Sequence, residues 1–221
     1  MISSGKAREV AEKWVLDMHG SHIALIPESI HEDDDYFGFY YQLKAALDSA
    51  DFLDGMIGQG FVILNKVDGR FFEYGSALSN EEALSEHRRD DAQESVVRQQ
   101  FPDYDRRDPY KLVLPRVDRT VRLVEIMSAG NLSYIVPEVE SGAIWRIPKA
   151  YDRHTLQERL DAPVPLEFTN AGYGVQLELL YGLVVANKRE SICDILIERY
   201  RKVQRSKDPS SATEEDLAPE W

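Results

Sequence analysis

The segment Phe61-Val-Ile-Leu-Asn-Lys-Val-Asp-Gly-Arg-Phe-Phe-Glu-Tyr74 carries two apolar runs, 61–65 and 71–74, on either side of Val67-Asp-Gly-Arg70. Glycine, and aspartate more readily than most residues, adopts the positive φ of a two-residue turn, so the pattern predicts a β-hairpin. Short apolar and aromatic runs at 22–26 and 36–42 supply further candidate strands. Ahead of them, Ala7, Val10, Ala11, Trp14, Val15 and Met18 fall on one stripe of a helix, with Ser4 placed to cap its start and Gly20 its end. Residues 44–60 read as helical turns closed by a glycine-rich return. Ser79-Asn-Glu-Glu82 fits a capping box for a helix reaching about His87.

Apolar periodicity then stops. Arg88-Arg-Asp-Asp91, Arg98-Gln-Gln100 and Asp103-Tyr-Asp-Arg-Arg-Asp-Pro109 offer few core residues, which places a domain junction within 88–109. The expected organisation is a first domain over 1–90, a linker over 91–109, a second α+β domain over 110–205 and a flexible acidic tail over 206–221. In the second domain, 112–114 and 121–127 are apolar, and the latter fits either a helix or a strand. A hairpin is expected about Glu140-Ser-Gly142, between 132–139 and 143–147. Residues 175–187 read as a buried helix. Ile192, Ile195, Leu196 and Tyr200 share a helical face, so 190–204 is expected to complete a helical hairpin. The fold class is α+β: an N-terminal helix, a small antiparallel sheet and a closing helix, then a second α+β unit.

The 221 residues carry 26 lysines and arginines against 39 acids, a net charge of −13, with a sequence pI near 4.8. Nonspecific duplex binding needs a basic footprint, so nucleic acid is not an expected partner. The single cysteine, Cys193, forms no internal disulfide, the first residues lack the apolar run of a secretion signal, and no apolar stretch nears the ~20 residues that span a bilayer. A soluble cytoplasmic protein without a membrane partner is expected.

The most unusual local feature is His31-Glu-Asp-Asp-Asp35, inside a window from residue 28 to 54 with eight acids and one lysine. The candidate contact residues are Glu32, Asp33, Asp34, Asp35, Asp48, Asp51 and Asp54. Three roles are open to them: a solvated turn, a protein-contact patch whose field steers a basic partner, or a hard-cation site. Consecutive acids lack the alternate spacing and glycine bend of a calcium loop, so no metal or cofactor is expected. Cys193, between Ile192 and Ile195 of the expected helix, reads as a small hydrophobe. No nucleophile elbow, HExxH motif or complete phosphate loop occurs, so no catalytic residue is assigned. Tyr36, Phe37, Phe39, Tyr40 and Tyr41 read as core packing rather than a base-stacking platform. Residues 98–122 hold seven basic side chains against four acids and are expected to pair with the acidic window.

Residues 8–90 resemble the immunity protein 35 family of bacterial polymorphic toxin systems in their order of features. An amphipathic helix precedes Tyr36-Phe-Gly-Phe-Tyr-Tyr41, Leu47-Asp-Ser-Ala-Asp51 and Ile57-Gly-Gln-Gly-Phe-Val-Ile-Leu64; the Asp68-Gly69 hairpin, Gly75-Ser-Ala77 and Glu81-Glu82 follow. The family's usual proline and later aromatics are replaced here by Ser79, Ala83 and His87. The resemblance implies a cytoplasmic antitoxin that binds a cognate toxin protein and has no catalysis of its own. A chaperone-like or regulatory binding protein, and a metal-dependent hydrolase using residues 31–35, stand as alternatives.

Overall fold

A computed structural model describes residues 1–48, 59–130, 132–140, 143–169 and 175–199. The fold is α+β, and the chain divides into two compact units, 1–90 and 91–221.

In the first unit, α1 (Ser4–His19) precedes β1 (Ile23–Leu25), a single 3-10 turn (Pro27–Ser29), β2 (His31–Glu32), β3 (Tyr36–Phe39), β4 (Tyr41–Leu43), α2 (Lys44–Asp48), β5 (Val62–Asn65), β6 (Phe71–Glu73) and the start of α3 (Asn80–Arg98). Strands β2-β3-β5-β6 form an antiparallel sheet in that order, with Phe37 opposite Leu64 and Ile63 opposite Phe72. Both faces of this sheet are covered, so β3 and β5 are buried at every position instead of alternating. Phe37, Phe39, Val62 and Leu64 pack with Ala7, Ala11 and Val15 of α1, while Tyr36, Phe61 and Ile63 pack with Ala83 and Leu84 of α3. Gly38 points to the α3 side, where a Cβ would lie 2.2 Å from Cζ of Phe61. Glycine there leaves room for the ring.

Two strand expectations change in detail. The run 36–42 is two strands, because the backbone exchanges partners at Tyr40: its N–H donates to Ser29 Oγ at 2.9 Å and its carbonyl accepts from Ile26 N at 2.9 Å. β3 therefore pairs with β5, and β4 with β1. The 61–74 hairpin is present, but Asn65 N donates to Arg70 O at 2.9 Å across a connection of residues 66–69, longer than the two-residue turn expected. Asn65 Oδ1 accepts from Val67 N at 2.9 Å, and Gly69 takes φ +77°, so the side chain and the glycine shape this longer loop together. Ser3, not Ser4, occupies the N-cap position of α1; its side chain makes no capping hydrogen bond, its carbonyl accepts from Ala7 N at 2.9 Å, and Ser4 is the first helical residue. Of the helical turns and glycine-rich return expected over 44–60, residues 49–58 lie outside the described residues.

The capping box forms, with Ser79 N donating to Glu82 Oε2 at 2.8 Å, but α3 continues to Arg98 instead of ending near His87. The expected 91–109 linker is therefore helical in its first part. Its buried positions escaped the apolar count because one is Glu94, only 2% exposed, with Val97 beside it and Tyr104 following. Arg106, 8% exposed, holds Asp91 at 2.7 Å and Glu94 at 3.3 Å; Arg98 donates to Tyr104 O at 2.7 Å.

The second unit contains β7 (Tyr110–Val117), α4 (Thr120–Ala129), β8 (Ser133–Glu140), β9 (Ala143–Ala150), α5 (Arg153–Leu160), β10 (Leu166–Phe168), α6 (Leu177–Glu190) and β11 (Cys193–Arg199). β10-β7-β11 is an antiparallel sheet, and β8–β9 is a separate two-stranded ribbon where a hairpin was expected. Pro115 in the central strand cannot donate to a ladder. It follows the last residue paired with β10, Leu114, and falls where the β11 register shifts between Asp194 and Leu196, so the irregularity accommodates it. Leu112, Leu114, Leu123, Leu156, Leu166, Leu180 and Leu183 join one core, and α6 is buried as expected. The expected helix over 190–204 is corrected to a strand within the described residues. Cys193 and Ile195 face inward and Asp194 and Leu196 outward, the alternation of a strand.

The cations of 98–122, expected to answer the acidic window, find carboxylates in their own unit. Besides Arg98 and Arg106, Arg107 holds Asp105, Lys111 holds Glu167 and Glu198, Arg116 holds Asp194, Arg119 holds Glu190, and Arg122 holds Glu125.

Candidate functional site

The acidic turn links β2 to β3. Asp33 is its organiser. One carboxylate oxygen accepts from the backbone amides of Asp35 at 2.9 Å and Tyr36 at 2.8 Å, and the other accepts from Arg88 of α3 at 2.7 Å. Its own amide donates to Tyr36 O at 3.0 Å. Partial burial pushes the carboxyl of Asp33 up, but the Tyr36 and Asp35 amides and the Arg88 guanidinium outweigh it and hold the pKa below the ordinary 3.8.

A second clamp comes from the 66–69 loop. Lys66, 3% exposed, donates Nζ to the carbonyl of Asp33 at 2.6 Å and to Glu32 Oε1 at 3.1 Å, and its amide donates to Asp35 O at 2.7 Å. A lysine this buried is tolerated because its ammonium has oxygen partners. Arg88 also lies over the Tyr36 ring, 5.8 Å from its centroid. Two cations from distant positions thus fix the turn. Neither was singled out from sequence: Lys66 reads as a hairpin-loop residue and Arg88 as part of a polar junction.

The seven candidate contact residues consequently separate. Glu32 and Asp33 are engaged within the fold. Asp34 and Asp35 are exposed at the tip, and their side chains accept no hydrogen bond among the described residues. Asp48 ends α2, whereas Asp51 and Asp54 lie outside the described residues. Among the described residues no group of three or more histidine, cysteine or acidic side chains could hold a metal ion, and no helix is long and apolar enough to cross a membrane.

Cys193 and His87 are both packed inside the fold. Burial, with Asp194 and Asp118 nearby, pushes the Cys193 thiol up to about 12, leaving almost no thiolate at neutral pH. His87 is fully buried, its Nδ1 2.8 Å from the Tyr74 hydroxyl, and its ring is edge-on to Tyr36 at 4.8 Å. What the turn offers chemically is a pair of solvent-facing carboxylates on a braced backbone.

In comparisons with known proteins, the chain matches no family model, no curated protein and no solved structure.

Proposed function

We propose that this chain is a non-catalytic immunity protein that binds a cognate toxin protein in the bacterial cytoplasm and neutralises it, with the β2–β3 turn contributing to the contact. The observation that carries the proposal is the presentation of Asp34 and Asp35 on a turn held by Lys66 and Arg88. Carboxylates on a preorganised backbone lose little freedom on meeting a cation, which favours their use in recognition. The field around them has the same sign: residues 1–90 hold 17 acids and eight bases, or −9 of the total −13. Such a field raises the association rate of a basic partner and selects against acidic ones. The order of features over 8–87 supplies the specific reading of the partner as a toxin.

Co-expression tests the proposal. The product of the neighbouring reading frame is induced with and without this chain. Growth rescue and co-elution of the two proteins are expected; toxicity unchanged by the chain, with no complex, would overturn the reading.

A further inference from the structure

We draw no further inference here: the strongest candidate, the two-stranded ribbon β8–β9 of the second unit, which pairs with no other strand among the described residues, carries nothing because nothing in the structure shows what covers it.

Discussion

Adjacent aspartates in one turn have unlike roles, and substitution separates them. Asp33→Ala removes acceptors from two amides and a guanidinium, and hydrogen bonds to charged groups contribute about 1.5–3 kcal/mol. Equilibrium urea unfolding is expected to show a loss in that range. Asp34→Asn and Asp35→Asn, which change only exposed side chains and leave the backbone hydrogen bonds of Asp35 in place, are expected to stay within about 0.5 kcal/mol of the parent. A turn built only of solvated carboxylates would make all three substitutions equally mild. The low native pKa of Asp33 also fixes a direction with pH. As pH falls, the unfolded carboxyl takes its proton near the ordinary 3.8 while the native one remains charged, so the unfolded state gains protons first. The contribution of Asp33 is complete above that ordinary value and is lost as pH falls through the lowered native one. Stability measured from pH 6 down to 2 should therefore fall less steeply in Asp33→Asn than in the parent, and parallel curves would remove Asp33 from the acid response.

Elements were legible where local pattern and tertiary partner agreed. Strands β5 and β6 and helix α6 stood out because their apolar runs are enclosed by the fold they predict. β11 was misread because Ile192, Ile195 and Leu196 satisfy helical spacing while Cys193, Ile195 and Ile197 satisfy alternation equally well. Pairing of β11 with β7 decides between them, and residue spacing does not contain that pairing. The second half of α3 was missed for a related reason: one of its buried positions is Glu94, a carboxylate with Arg106 and Arg98 within 3.3 and 3.1 Å of it. The acidic turn was visible as composition, but its division into engaged and exposed carboxylates depends on Lys66 and Arg88, 33 and 55 residues from Asp33. The α3 account makes a further prediction. Arg106→Ala removes one of the cations beside the buried Glu94, and breaking a buried pair costs about 3–5 kcal/mol. Arg98 remains, so the expected loss is near 3 kcal/mol by thermal or chemical denaturation. A change below about 0.5 kcal/mol would mean that Arg106 does not hold the 101–109 segment against α3.

Over the whole molecule, charge is distributed unevenly: residues 1–90 carry −9 and residues 91–221 carry −4. In the second unit, the cations of 98–122 are matched by nearby carboxylates, whereas Asp34 and Asp35 in the first have no such match among the described residues. The proposed contact is therefore expected to leave a kinetic signature. The informative variant is the double Asp34→Asn, Asp35→Asn chain, since including Asp33 would mix lost binding with a loosened turn. If the pair acts through its field at the rim of the contact, association with the toxin slows several-fold at low salt and its salt dependence flattens, while dissociation changes little. If toxin arginines bury the two carboxylates, dissociation accelerates instead, by an amount equivalent to about 2–5 kcal/mol for a truncated buried pair. Surface plasmon resonance at several salt concentrations distinguishes these outcomes, with circular dichroism confirming that both chains are folded. A complex whose association, dissociation and salt slope are all unchanged would move the contact away from the β2–β3 turn, because removing two unit charges from a contact alters the field that steers association and with it the salt dependence.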